Sequence, residues 1–364
     1  MMLQPPNDRD AARNDDGGRG DEQVILFPSI IYFDAKRRGW KAIVQGRICD
    51  IGRVPMTNRL LIKGLKRALK ASQEELASEI FQQRIQGFAA KPISGRRVVV
   101  DIAGHSFTLR RKTKSNGTFL GVCRLPDGLL PHPAAGRVWP TCEPLSVKVI
   151  SAGGIVQEPA TLLESRLHVV APRGLSVISD IDDTIKATDV GSRHAMLTNT
   201  FLRPFTAISG MAELYRDWRA AGADFHYVSS SPWQLFQPLA ELCELCEFPA
   251  GSMHLRYFRI RDEMYQRWRP GRRKGKAAII AGLMKKLPER RFVLVGDSGE
   301  RDPEIYWFLA RKFPKQVAAI LIRQVDDKPL HERRRKRLSS LQSDLVVHIY
   351  HDADELRRLT SDLI

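Results

Sequence analysis

The sequence predicts an α/β protein in which a doubly wound parallel sheet follows a β-rich α+β domain. From about residue 173 onward, short and fully apolar runs alternate with helical patterns, which is typical of a parallel sheet covered by helices on both faces. Before that point, alternating apolar and polar segments are separated by turn residues, which indicates antiparallel strands. We therefore expect a disordered tail over 1–23, a β-rich domain over 24–172, the α/β domain over 173–350 and a C-terminal helix over 351–364.

The β-rich domain is predicted to contain strands on both sides of a long helical segment. The runs 24–33 and 40–49 are apolar enough to be strands, and leucines recur at helical spacing across 54–90. The pair Asn116-Gly117 stands between two alternating runs and predicts a β-hairpin.

Composition and charge limit the classes of partner and compartment. The chain has 364 residues and a formal net charge of +17, which favours anionic partners such as phosphorylated substrates, lipid surfaces or nucleic acid. Five scattered cysteines imply no disulfide framework. The spacing of Cys243 and Cys246 fits half of a zinc site, but no second pair exists, so we expect both to fill a helix face. Without a signal peptide or a long apolar run, we expect a cytoplasmic protein that contacts membranes only from the surface.

Polar clusters follow three of the apolar runs, at the points where the strands should end. The clusters are Asp180-Ile181-Asp182-Asp183-Thr184, Ser229-Ser230-Ser231, and Gly296-Asp297 continued to Asp302. The carboxyl ends of parallel strands meet at one edge of the sheet, so five aspartates are expected in one crevice. Each pair of carboxylates ~4 Å apart repels by roughly 4 kcal/mol at an effective dielectric near 20. A cation should therefore offset them, and oxygen ligands favour Mg²⁺.

The same spacing is compatible with phosphoryl transfer. Asp180 and Asp182 lie two residues apart at a strand end and can share one face. One carboxylate could attack phosphorus, while the other serves as general acid and base. Lys276, at the start of a predicted helix, and Ser229 could bind phosphate oxygens.

These clusters resemble the signatures of the haloacid dehalogenase superfamily: Asp-x-Asp-x-Thr, a serine or threonine ending the second strand, a lysine, and Gly-Asp followed by a second acid. The resemblance implies a haloacid dehalogenase-like sheet in which Asp180 is the nucleophile and Asp182 the general acid and base. It also implies a phosphate-binding set of Thr184, Ser229 and Lys276 and a magnesium-binding set of Asp180, Asp182, Asp297 and Asp302.

Longer stretches of sequence around these motifs resemble one particular family of the superfamily. Residues 178–186, 228–235 and 294–306 look like the actin-patch phosphatidate phosphatase family, and the similarity extends over about 170–325. This implies Mg²⁺-dependent hydrolysis of phosphatidic acid to diacylglycerol through an aspartyl-phosphate. The family often has His-Lys where this chain has Gly275-Lys276, so Lys274 remains an alternative phosphate lysine. Ser231 is likewise an alternative to Ser229.

Other interpretations are weaker but distinct. A calcium loop would need an acid or asparagine and then glycine where Thr184 and Ile185 stand. The substrate could be another phosphomonoester, such as a nucleotide or a nucleic-acid end, or the chain could be a non-catalytic membrane-docking protein. The basic stretches 269–276 and 333–337 are either solvated surfaces or contacts with an anionic membrane. We do not expect nucleic acid itself to be a partner.

Overall fold

Two large sheets organise the chain in the computed structural model, which describes residues 22–52, 54–133, 142–152, 164–188, 193–256, 275–326, 328–341 and 345–361. The first sheet has nine strands and the second has six, and a two-stranded ribbon lies beside them. The predicted α/β class with a β-rich N-terminal region is confirmed in this respect.

The first sheet is antiparallel except for one parallel pair, β2 with β9. Its strands are β1 (Glu22–Phe27), β2 (Ser29–Asp34), β3 (Gly39–Asp50), β4 (Lys91–Pro92), β5 (Val98–Ile102), β6 (His105–Thr108), β7 (Thr118–Arg124), β8 (Leu145–Ala152) and β9 (Glu164–Val169). Three helices interrupt it, namely α1 (Met56–Leu69), α2 (Gln73–Ala77) and α3 (Glu79–Ala89). The predicted helical segment is divided because Ser72 and Ser78 cap new helices with their side chains.

The hairpin predicted at Asn116-Gly117 is wrong. Strand β7 pairs with β3, whereas β6 pairs with β5. The dipeptide still forms a tight turn, because Gly117 has a φ of +78° and its carbonyl accepts a hydrogen bond from the Ile48 amide at 2.9 Å. The turn therefore leads into β7, which pairs with the distant strand β3. The long-range pairing of β7 with β3, rather than the local turn signal, determines which strand β7 joins.

The second sheet is wholly parallel in the described part of the chain. Its strands are β10 (Gly174–Ser179), β13 (Asp224–Pro232), β14 (Gly251–Arg256), β15 (Arg290–Asp297), β16 (Val317–Arg323) and β17 (Val346–Tyr350), while β11 (Lys186–Ala187) and β12 (Thr206–Ala207) form the ribbon. The spatial order is β14-β13-β10-β15-β16-β17. The direction of winding reverses between β10 and β15, which is where such sheets bind ligands.

Helices cover both faces of this sheet. They are α4 (Arg193–Phe201), α5 (Met211–Ala220), α6 (Phe236–Leu245), α7 (Gly275–Lys286), α8 (Asp302–Lys312), α9 (Glu332–Ser339) and α10 (Ala353–Thr360). Val177 faces a core shared with α5, α6 and α10, whereas Ile178 faces one shared with α7, α8 and α9. None of the helices in the described ranges combines the length and the apolar character needed to cross a bilayer.

The two sheets share hydrophobic core rather than touching only at a linker. Phe27 of β1 and Phe81 and Phe88 of α3 belong to the same buried cluster as Val177 and Phe225 of the second sheet. The main chain also joins them, since the Met253 amide donates to the Pro28 carbonyl at 3.1 Å. The N-terminal region therefore packs directly on the sheet that carries the aspartates.

A buried polar network lies at the amino-terminal end of β10 and β13. The His226 ring approaches Ser252 Oγ at 2.8 Å and Ser176 Oγ at 3.3 Å, and Ser252 also contacts the His254 ring at 3.0 Å. Arg290 donates to Ser176 Oγ at 2.8 Å and to the carbonyls of the segment 171–175. Burial lowers the pKa of His254 to about 4, so this ring stays neutral in the folded chain.

This neutral histidine predicts acid sensitivity of the fold. As pH falls below about 6.5, unfolded His254 binds a proton that the folded chain does not accept until near pH 4, so stability is lost through that window. We expect His254→Gln to reduce the slope of unfolding free energy against pH by about 1.4 kcal/mol per unit. Urea denaturation between pH 4.5 and 6 measures it. His105→Gln, an exposed control, should leave the slope unchanged; equal slopes for both variants would refute the argument.

Candidate active site

Three predicted aspartates meet at the reversal point of the second sheet. Asp180 directly follows β10, and its amide donates to the Val295 carbonyl of β15 at 2.9 Å. Asp297 ends β15 and Asp302 begins α8. One carboxylate oxygen from each lies within 4.8 Å of the other two, and all three residues are buried. The parallel register of β10 and β15 thus builds the acidic crevice.

Lys276 supplies a positive charge to this crevice. It stands in the first turn of α7, and its Nζ lies 2.9 Å from Asp180 Oδ1 and 2.5 Å from Asp302 Oδ1. Burial alone would lower the pKa of Lys276, but Asp180 and Asp302 outweigh it and hold that pKa above its ordinary value. The ammonium is therefore charged. The alternative, Lys274, lies outside the described residues.

The single ammonium of Lys276 does not neutralise the three carboxylates of this cluster. With all three carboxylates ionised, the cluster and Lys276 together would carry a net charge of −2, three negative charges less one positive. Burial raises the pKa of Asp180 well above its usual range, and burial together with Asp302 raises the pKa of Asp297 to about 7. Within the described residues, Asp180 Oδ2 and Asp297 Oδ2 are buried without a hydrogen bond. Unsatisfied carboxylate oxygens of this kind suit a hard divalent cation.

The loop after β15 fixes two of these carboxylates. Asp297 Oδ1 accepts hydrogen bonds from the amides of Gly299 at 2.6 Å and Glu300 at 2.8 Å, which leaves Oδ2 for the crevice. Gly296 allows the Asp302 carboxylate to approach the main chain, since a Cβ at 296 would overlap it. Any side chain at position 296 would therefore push Asp302 away from its partners.

Asp182 belongs to a separate polar group beside the acidic cluster. Its Oδ1 lies 2.7 Å from Lys186 Nζ, while Oδ2 accepts hydrogen bonds from Ser229 Oγ at 3.1 Å and Ser231 Oγ at 2.5 Å. Burial alone would raise the pKa of Asp182, but Lys186 and the two serines outweigh it and hold that pKa below its ordinary value. Both candidate serines thus face the same carboxylate.

Two further predicted or neighbouring residues shape the turn after β10. The Thr184 side chain is fully buried, and its hydroxyl has no hydrogen-bond partner in the part of the chain that is described. Asp183 has a φ of +53°, and its carboxylate accepts from the Thr188 amide at 3.0 Å. Asp183 therefore serves the turn that returns the chain to Lys186.

Sequence reasoning missed three residues of the site. Lys186 pairs with Asp182, and its position four residues further on was the one available signal. Glu300 accepts from Ser230 Oγ at 3.1 Å. Arg334 of α9 donates to the carbonyls of Ser298 and Glu300, each at 3.0 Å. The basic stretch 333–337 therefore contains a residue that holds the loop after β15, while most of the stretch 269–276 lies outside the described residues.

Comparison with known proteins identifies this region. Residues 175–324 match the family model described as the catalytic domain of phosphatidate phosphatase APP1. The chain is 33% identical over 281 residues to phosphatidate phosphatase APP1 of Saccharomyces cerevisiae, which covers 71% of this chain and 43% of that protein. Residues 175–324 belong to the APP1 catalytic-domain family. This segment includes Asp180, Asp182, Lys276, Asp297 and Asp302.

The APP1-family match does not extend over whole relatives. An uncharacterised protein of Schizosaccharomyces pombe is 34% identical over 167 residues, covering 44% of this chain and 27% of that protein. The chain thus spans less than half the length of these two relatives. A flavohem-like FAD/NAD-binding domain of Vibrio cholerae nitric oxide dioxygenase aligns with 84% of this chain and all of that chain at 7% identity, but its TM-score of 0.18 carries no inference.

The charge balance around Lys276 can be tested through stability. Lys276→Met leaves buried carboxylates without their ammonium, and we expect it to lower the unfolding free energy by about 3–5 kcal/mol at pH 7 in EDTA. The loss should shrink at pH 5, because protonation removes the repulsion. Urea denaturation at both pH values measures it. Lys285→Met, exposed on the same helix, is the control; a loss independent of pH would contradict the electrostatic cause.

Proposed function

We propose that this chain is a magnesium-dependent phosphatidate phosphatase with a haloacid dehalogenase-like catalytic domain. The observation that carries the proposal is the meeting of Asp180, Asp297, Asp302 and Lys276 at the reversal point of a parallel sheet. The surrounding segment belongs to the APP1 catalytic-domain family. The substrate is phosphatidic acid, and the products are diacylglycerol and inorganic phosphate.

Asp180 acts as the nucleophile. Its buried carboxylate is fixed by the main chain of β10 and by Lys276, so it has one preferred position in the crevice. A carboxylate oxygen of Asp180 attacks phosphorus, and the bond between phosphorus and the glycerol oxygen breaks. The electron pair of that bond leaves with the glycerol oxygen, and an aspartyl-phosphate forms.

Asp182 moves the protons. It gives a proton to the departing glycerol oxygen and later accepts one from the water that attacks the aspartyl-phosphate, which releases phosphate and restores Asp180. Lys186 and the two serines favour the ionised form that suits the second step. The negative phosphate of a bound substrate raises the pKa of Asp182 and so favours the protonated form that the first step needs.

The remaining charged groups hold the phosphate. Lys276 offsets its negative charge. Ser229, with Ser231 beside it near the end of β13, turns its hydroxyl from Asp182 to a phosphate oxygen when substrate binds. Asp180, Asp297 and Asp302 would hold Mg²⁺, with Asp182 as a further predicted ligand. When bound, the cation supplies electrostatic stabilisation of charge that develops on phosphate oxygens. We place this enzyme in the cytoplasm, in peripheral contact with anionic membranes that contain its substrate.

Phosphate release from lipid tests this assignment. In mixed micelles with Mg²⁺, we expect release from phosphatidic acid to exceed release from lysophosphatidic acid and nucleotides. Asp180→Asn removes the nucleophile and should lower the rate by about a thousandfold or more. Asp127→Asn, on an exposed surface, is the matched control. Unchanged activity in the Asp180 variant would end the proposal, and a strong preference for nucleotides would change the substrate class.

Metal binding should depend on pH. Because the pKa of Asp297 is raised to about 7 and that of Asp180 is also raised, a cation must displace at least one proton at lower pH, so Mg²⁺ affinity should fall by about tenfold or more for each unit below pH 7. Calorimetric titration with MgCl₂ at pH 7.5, 6.5 and 5.5, in buffers of different ionisation heat, measures affinity and proton release together. Affinity that stays constant with pH would contradict a ligand set that contains Asp297.

A further inference from the structure

Helix α1 carries a concentration of positive charge. Four basic residues lie within Met56–Leu69, and Lys70 follows directly. The next acidic residues along the chain are Asp50 on one side and Glu74 on the other. No ion pair involves these five side chains in the part of the chain that the structure describes.

The same helix exposes large apolar side chains beside its charges. Met56 is 78% exposed and Leu60 is 67% exposed. They lie one turn apart, and Lys63 and Arg67 continue the same face of the helix. The opposite face is anchored, since Leu69 is buried in the core. The outer face thus combines basic and apolar side chains that no described residue covers.

Helix α1 packs on the helix that follows the acidic crevice along the chain. Helix α4 belongs to the connection that leaves the carboxyl end of β10, and the His194 ring of α4 contacts the Ala68 carbonyl of α1 at 3.3 Å. Helix α3, which follows α1 and the short helix α2, also contacts α4, because Arg84 donates to the α4 carbonyls of Asn199 at 3.2 Å and Thr200 at 2.7 Å. A surface that binds α1 would therefore lie on the side of the protein that carries α4, the helix reached directly from the Asp180–Thr184 turn and β11.

We propose that the outer face of α1 docks on an anionic lipid bilayer and so brings the crevice to the membrane surface. Each basic side chain gains roughly 1 kcal/mol near an anionic leaflet, and Met56 and Leu60 can enter its interfacial layer. Nucleic acid would also attract the charges, but it would leave both apolar side chains in water. The proposal deepens the assigned phosphatase function by naming the surface that meets the lipid.

The basic helix α9 is a weaker candidate for the same role. Arg334 is held by the catalytic loop and by Glu304, and Lys336 pairs with Glu332 at 3.7 Å. Its charges are partly offset by acidic partners. The docking surface is therefore assigned to α1 alone.

Binding to vesicles separates docking from catalysis. The full chain is sedimented with phosphatidylcholine vesicles that contain phosphatidylserine but no phosphatidic acid, so that the active site has no substrate. Lys63→Gln, Arg67→Gln and Lys70→Gln are combined in one variant, and Leu60→Ser is a second. The matched control combines Lys285→Gln, Arg291→Gln and Lys315→Gln, which removes equal charge from exposed positions at the opposite edge of the sheet.

We expect the triple variant of α1 to bind these vesicles about a hundredfold more weakly, Leu60→Ser to bind several-fold more weakly, and the control to stay within about twofold of the wild type. Phosphate release from phosphatidic acid in detergent micelles should be unchanged in all three, which distinguishes failed docking from failed catalysis. Wild-type binding that is absent or insensitive to salt would overturn the proposal. Equal losses in the control, or tighter binding to a mixed-sequence oligonucleotide than to vesicles, would do the same.

Discussion

Repulsion among buried carboxylates is the constraint on which the site depends. One carboxylate oxygen each of Asp180, Asp297 and Asp302 lies within 4.8 Å of the other two, all three residues are buried, and one ammonium, Lys276, contacts two of them. Such a group is tolerated only where the scaffold holds it rigidly. The parallel strands β10 and β15 and the first turns of α7 and α8 provide that rigidity. The proposed chemistry depends on this arrangement, in which Asp180 lies next to the Lys276 ammonium and one oxygen each of Asp180 and Asp297 has no hydrogen-bond donor among the described residues.

A second polar group, formed around Asp182, lies beside the acidic cluster and differs from it in electrostatics. Asp182 is two residues from Asp180, yet its surroundings push its pKa in the opposite direction. Lys186 and the serines of β13 account for that difference. A cation beside Asp180 would lower the pKa of its carboxyl, and a phosphate beside Asp182 would raise the pKa of that carboxyl; the proposed attack and proton transfer need both changes. Asp180 and Asp182 thus differ in pKa because Asp180 faces α7 and α8, whereas Asp182 faces β13 and Lys186.

Sequence alone was sufficient for the features that depend on local pattern. Uniformly apolar runs predicted β10, β13, β15 and β16. The polar clusters after β10 and β15 supplied the three aspartates that meet, whereas Asp182 and Asp183, expected in the same crevice, have other partners. The edge strands β14 and β17 were not predicted, because His254 and His348 interrupt the apolar pattern of their sequences. The hairpin at Asn116-Gly117 failed because β3 competes for β7 over a long range. Arg334 was not predictable, since a basic run does not reveal which member turns inward.

The hydrophobic core around the parallel sheet includes residues from outside the segment that matches the family model. The APP1-family segment, residues 175–324, ends before β17 and α10, although Tyr350 and Leu356 fill one face of its sheet. Phe81 and Phe88 of α3 close the same face from the other end of the chain. The matched segment, taken alone, would expose this apolar surface to water. The segment matched by the family model is therefore shorter than the set of elements that pack around its sheet.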